Sequence, residues 1–217
     1  MNIKKVTSLP AGLSDWKNAE EIKITHWYTA KDKPLLQNPP DVRARALYSD
    51  THIHILFTVT GERHIIAQYI HTQDSVCRDS CVEFFFAADH RAYINFEINC
   101  IGTYLCYRCT PVKQFDANPP GLSTADIIVK TSLPKGIAIP APVISPSQGY
   151  TVQFSIPFSF ISGVLDAPFP SAGTTWNANF YKCADLSPAP HWGSWSPITN
   201  GITDFHQPEF FSQIRFM

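Results

Sequence analysis

Tyr93-Ile94-Asn95-Phe96-Glu97-Ile98-Asn99-Cys100 alternates apolar and polar residues from Ile94 to its end. Successive side chains of an extended chain point to opposite faces. Ile94, Phe96, Ile98 and Cys100 therefore form one apolar face, and Asn95, Glu97 and Asn99 one polar face. A helix would split the same apolar residues between opposite sides, so the stretch reads as a strand. Just upstream, Cys81-Val82-Glu83-Phe84-Phe85-Phe86 is β-prone through its aromatic and β-branched residues. Downstream, Ile101-Gly102 leads into Thr103-Tyr104-Leu105-Cys106-Tyr107, which reads as the return strand.

The same period of two recurs outward. Val42, Ala44, Ala46 and Tyr48 alternate with Arg43 and Arg45, and Ile53, Ile55, Phe57 and Val59 alternate with more polar positions. Ser49-Asp50 lies between the two runs and makes them an antiparallel hairpin. Ile127–Val129, Tyr150–Ile156, Trp176–Cys183 and Ile214–Phe216 supply further strands. Helix signals are confined to Asp15–Ile22, with Ser14 or Asp15 as N-cap, and to Phe158–Leu165 after Pro157. Pro111–Gly149, with Pro119-Pro120-Gly121, and Asp166–Thr175 read as long surface loops. Many short strands with turn residues between them predict an all-β fold, an antiparallel two-sheet β-sandwich of jelly-roll-like form, with residues 1–217 as one domain.

Composition narrows the function. Of 217 residues, 44% are hydrophobic and 16% charged, with a formal net charge of −1, as expected of a chain that buries a core. No Lys/Arg run forms a phosphate-binding stripe, which argues against nucleic acid, and no apolar stretch reaches the roughly 18–20 residues of a membrane helix. The start, Met1 to Pro10, has a positive segment but no apolar run behind it, so the chain is not visibly routed for export, and a cytoplasmic location is expected. Six cysteines, several inside apolar strand-like runs, are expected to be mostly free thiols.

Several groups of residues carry candidate chemistry. Glu83, Asn95, Glu97 and Asn99 would place carboxylates and amides on one sheet face, suited to sugar hydroxyls or simply to solvent. The two glutamates could also form a glycosidase pair, which needs a defined separation and one raised pKa. His191-Trp192-Gly193-Ser194-Trp195, after Ser187-Pro188-Ala189-Pro190, puts two tryptophans in a loop, where an indole either stacks on a sugar ring or plugs the sandwich edge. Cys77-x3-Cys81 and Cys106-x2-Cys109 have zinc-like spacing, but residues three apart on a strand face opposite ways and chelate poorly. His52 and His54 share a strand face without an identifiable third ligand. No phosphate loop, nucleophile elbow or catalytic triad stands out. No catalytic residue and no metal ligand are assigned. A haem-binding sandwich would need axial ligands, and the methionines are only Met1 and Met217.

Taken in order, these motifs resemble the family 9 carbohydrate-binding modules. The resemblance runs from Asp15-Trp16-Lys17-Asn18-Ala19, through Asp79-Ser80-Cys81-Val82-Glu83-Phe84-Phe85 and Asn95-Phe96-Glu97-Ile98-Asn99-Cys100-Ile101-Gly102, to Trp176–Cys183, Ser194-Trp195 and Phe210–Phe216. It implies a β-sandwich that holds a sugar in a slot between two aromatic side chains and catalyses nothing. One wall would be Trp195, with Glu83, Glu97 and Asn99 binding hydroxyls and Asn177 and Asn179 lining the same concave side. The expected partner is thus a mono- or oligosaccharide; oligomeric state is not indicated. The sequence departs from the family's pattern at Cys77, where the second aromatic wall would fall, with Tyr69, Trp192 or Tyr181 as substitutes. It departs again at Glu97, where sugar binders can carry a cation. Structural calcium, seen in some relatives, finds no clustered oxygen ligands here, so no cofactor is expected. The competing expectation is a sandwich that has lost the sugar site and serves as a protein-interaction or assembly module.

Overall fold

The computed structural model describes residues 1–29, 36–117 and 126–217, and the alternating segments form two packed layers. Along the chain the strands are β1 (Asn2–Lys5), β2 (Glu21–Lys23), β3 (His26–Tyr28), β4 (Asp41–Tyr48), β5 (His52–Thr60), β6 (His64–Ala67), β7 (Cys81–Ala87) and β8 (Tyr93–Asn99). They continue as β9 (Tyr104–Cys109), β10 (Phe115–Asp116), β11 (Ile128–Thr131), β12 (Ile139–Ile144), β13 (Tyr150–Pro157), β14 (Thr175–Cys183), β15 (Trp192–Ser194) and β16 (Ser212–Phe216). One layer runs β10-β9-β8-β7-β14-β16 and the other β4-β5-β13-β11. β1 joins them, pairing in parallel with β16 through Asn2 and Ile3 and with β4 through Lys4 and Lys5.

The apolar faces predicted from alternation meet between the layers. Phe84, Phe96 and Phe180 of one layer pack with Phe57 and Phe154 of the other, their ring centroids 4.8–6.3 Å apart in stacked, tilted or edge-on pairs. The β4–β5 hairpin closes in register at Tyr48 and Ile53, with Ser49 Oγ accepting from the His52 backbone N–H at 3.2 Å.

Three expectations are corrected. Asp15–Ile22 is not a helix: a single 3₁₀ turn, Leu13–Trp16, gives way to β2, because Ile22 and Ile24 are both buried and their spacing of two suits only an extended chain. Phe158–Leu165, in contrast, is the α-helix α1. Pro111–Gly149 is not all loop: it holds β10 and β12, and β12 carries Pro140 and Pro142 at an edge whose partner among the described residues is β6. Proline is tolerated there because an edge strand needs only half its donors. Pro119-Pro120-Gly121 lies outside the described residues. Finally, Trp192–Ser194 is strand rather than loop, pairing with β14 on one side and β3 on the other. Among the described residues no helix is long and apolar enough to cross a membrane.

Gly149 fixes the entry to β13. Its φ is +74°, and a Cβ built there would lie 2.0 Å from the Val59 carbonyl oxygen on β5. Gly149→Ala is therefore expected to cost more than the about 1–2 kcal/mol of a side chain in left-handed backbone alone, read as a lower denaturation midpoint. A change within about 0.5 kcal/mol would show that the turn can move aside.

Candidate ligand-binding site

The register of β8, β7 and β14 decides what stands on the outer face of the first layer. Glu97 pairs with Glu83, and Glu83 with Tyr181. Asn99 pairs with Cys81, and Cys81 with Cys183. This face is not solvated. Val76, Ile198 and Phe205 cover it and bury Phe85, Tyr93 and Tyr181 in a second apolar cluster. The cover leaves an opening above the glutamates, a cavity of about 230 Å³ lined by Cys77, Glu83, Glu97, Asp185, Trp192 and His206 among others. That is below the roughly 300–1,000 Å³ that encloses drug-sized ligands.

The cavity floor is acidic and buried. Glu83 is 3% and Glu97 5% exposed. Glu97 Oε1 accepts from Asn95 Nδ2 at 2.9 Å, and the Cys77 thiol lies near enough to favour the carboxylate, yet no donor reaches Glu97 Oε2 among the described residues. Cys183 Sγ lies 2.8 Å from Glu83 Oε1 and 3.1 Å from the Cys77 carbonyl. Burial pushes the Glu97 carboxyl up to about 7, and burial together with the facing Glu97 holds Glu83 well above the usual carboxylate range. At the rim, Trp192 Nε1 donates to Asp185 Oδ1 at 2.8 Å, which sets the indole plane.

This pair links stability to pH. Between the ordinary carboxyl value of 4.5 and about 7 the folded chain retains a proton that the unfolded chain has lost. Its contribution is complete below 4.5 and disappears as pH rises through that window. His54, His191 and His206, pushed down to about 4 chiefly by burial, work in the opposite sense as pH falls below 6.5. Subtracting Glu97→Gln from wild type removes the histidines. From pH 5 to 7 the variant should gain about 1–3 kcal/mol on wild type, at ~1.36 kcal/mol per pKa unit. A flat difference in denaturation midpoints would mean that Glu97 ionises as an ordinary carboxyl.

Of the six residues expected at a sugar site, only Glu83 and Glu97 share this cavity. Asn99 is fully engaged: its Nδ2 donates to the Tyr69 carbonyl and to Asp79, and its Oδ1 accepts from Thr103 N–H. Asn179 is likewise buried, donating to the Ser196 carbonyl and accepting from Ser196 and Phe180 N–H groups. Asn177 lines a separate cavity of about 580 Å³ with Tyr93, Glu209 and Phe211. Trp195 stands on the core side, edge-on to Phe180 at 5.7 Å. The reason is parity: Ser194 pairs with Tyr181 on the cavity face, so the next residue turns inward, while Trp192, two before, points to the cavity.

Cys183, Asp185 and His206 were not anticipated at the cavity. Asp185 could have been sought from its nearness in sequence to Trp192, but His206 sits in an irregular segment without periodicity. Behind the cavity, Lys182 and Glu62 form an ion pair at 3.0 Å with side chains 0% and 2% exposed. Glu62 also accepts from Ser80 Oγ at 2.9 Å and Tyr150 Oη at 2.7 Å, and Lys182 donates to the Cys183 carbonyl at 2.8 Å. All six cysteines are free thiols.

The family model for carbohydrate-binding family 9 matches residues 18–216. Among solved structures, a proposed carbohydrate-binding protein from Bacteroides uniformis is 26% identical, with a TM-score of 0.82 over 100% of this chain and 98% of that one. A family 9 carbohydrate-binding module from Caldicellulosiruptor kristjanssonii was solved with glucose and with cellotriose. The two structures are 14% and 15% identical, with TM-scores of 0.61 and 0.60 over 100% of this chain and 96% and 93% of theirs. At that identity the likeness is one of fold. No curated protein sequence matches the chain.

Proposed function

Because this chain belongs to carbohydrate-binding family 9, we propose that it binds a mono- or oligosaccharide without catalysing a reaction on it, residues 1–217 acting as one domain. The sugar lies in the cavity between Trp192 and the Glu83–Glu97 pair. The observation that carries this reading is the buried Glu97 Oε2, which has no hydrogen-bond donor from the described chain and lines a cavity with an indole at its rim. A buried acceptor without a donor costs about 1–3 kcal/mol, more for a charged group, and a sugar hydroxyl supplies that donor. The apolar face of a pyranose ring suits the face of Trp192, whose orientation the Asp185 contact holds.

A glycosidase pair needs one carboxyl as acid and an ionised partner. Here burial raises both carboxyls, so the surroundings hold neither in the ionised form. The size of the cavity favours one ring, such as the end of a chain, with modest affinity because hydroxyl contacts largely replace contacts with water.

Titration calorimetry with glucose, other neutral monosaccharides and cellotriose tests the reading. Binding of at least one, weakened in Trp192→Ala, is expected. Failure of every saccharide with a folded protein would overturn it and leave the interaction module as the better account.

A further inference from the structure

We infer that Cys81, Cys183 and Glu83 form a binding site for a divalent ion of the zinc class on the floor of the same cavity. Their ligand atoms, two sulfurs and a carboxylate oxygen, all lie within 4.8 Å of one another and all three residues are buried. Around a tetrahedral zinc, metal–ligand distances of about 2.0–2.3 Å put ligand atoms roughly 3.5–3.8 Å apart, so small side-chain shifts would seat an ion. The sequence pairs Cys77/Cys81 and Cys106/Cys109 are not what assembles here. The site comes from cross-strand register, Cys81 opposite Cys183, with Glu83 two residues along β7 on the same face.

A second observation, shared with the saccharide reading, points to a ligand on this floor. Directly across from Glu83, the carboxyl of Glu97 is buried in the cavity with Oε2 lacking a donor. Glu83, Glu97, Asp185 and Asp204 line the opening together with Cys77 and Cys183, and no ammonium or guanidinium lies among the described residues that line it. The Lys182 ammonium, felt at Glu83, is bonded to Glu62 behind the sheet. Soft thiolates with one carboxylate select zinc over calcium or magnesium, whose ligands are oxygens. Glu83 and Cys183 line the cavity, which gives the ion a route in and leaves its fourth position facing the opening. Three protein ligands with an open position is the arrangement of zinc sites that take an exogenous ligand. Binding requires both thiols to lose their protons to solvent, so affinity should rise with pH.

Cobalt(II) on phosphine-reduced protein, without saccharide, reads the site directly. One cobalt per chain is expected, with the visible bands of a tetrahedral site and a thiolate-to-cobalt charge-transfer band, both abolished by zinc. Cys81→Ser and Cys183→Ser should each lower cobalt affinity by more than the about 10–100-fold that losing an outer-shell partner costs. Glu83→Gln should weaken binding while keeping the charge-transfer band. If either serine variant fails to fold, the wild-type spectrum still decides. Absence of cobalt binding, or binding without the charge-transfer band, overturns the site. Because no sugar is present, that failure leaves the saccharide reading untouched.

Discussion

Trp192→Ala is expected to weaken saccharide binding about 5- to 150-fold while leaving the fold intact. The figure corresponds to about 1–3 kcal/mol, the scale of burying an aromatic platform against a ligand. The fold should hold because Trp192 sits half-buried at the cavity rim and its one side-chain hydrogen bond goes to Asp185. Trp195→Ala should do the reverse. That ring packs on the inter-layer core, edge-on to Phe180, so truncation leaves a void. Full burial of an aromatic makes truncation cost about 3–5 kcal/mol, and this half-buried ring should cost about 2–3 kcal/mol. Affinity measured well below the melting temperature should stay near wild type. If Trp195→Ala instead abolished binding in a stable protein, the stacking ring would be Trp195, as the family resemblance implies, and the cavity would not be the site.

The two tryptophans also mark where sequence reading stops. Strict alternation over Tyr93–Asn99 and His52–Thr60 made faces legible, because one buried side repeated three or four times leaves one register. Glu83 and Glu97 were therefore assigned to one face, and the structure pairs them. β15 is only three residues long, and its face is set by pairing with β14 and β3, both distant in sequence. Nothing local says whether Trp192 or Trp195 points outward. Asn99 and Asn179 look like ligand donors in a one-letter pattern, but their amides are taken by backbone groups that only the tertiary fold brings near. Cys81 and Cys183 are 102 positions apart and meet through register alone. The missed strand β12 has a different cause: its prolines argue against a strand by local rule, and an edge position overrides that rule.

Lys182→Met is expected to destabilise the fold by about 3–5 kcal/mol, the cost of stranding one member of a buried ion pair. For a chain of this length that lowers Tm by roughly 6–20 °C, at about 2–4 °C per kcal/mol. Lys182 is an anomaly of its strand. It follows Phe180 on the core face of β14 and pairs with Val82, yet it carries an ammonium at zero exposure. Glu62 makes that tolerable, and Tyr150 and Ser80 fill the remaining acceptor positions of the carboxylate. Adding Glu62→Gln to Lys182→Met should recover much of the loss: a neutral amide oxygen still accepts from a hydroxyl, and no unpaired charge remains buried. The network also ties the functional strands together. Lys182 holds the Cys183 carbonyl, and Ser80, next to Cys81, accepts from the Ile66 N–H while donating to Glu62. The single variant should therefore also weaken ligand binding at temperatures where it remains folded, and the double variant less so. Urea denaturation of the two variants beside wild type decides the matter. A loss below about 1 kcal/mol for Lys182→Met, or no recovery in the double variant, would mean that the pair does not carry the packing of β14.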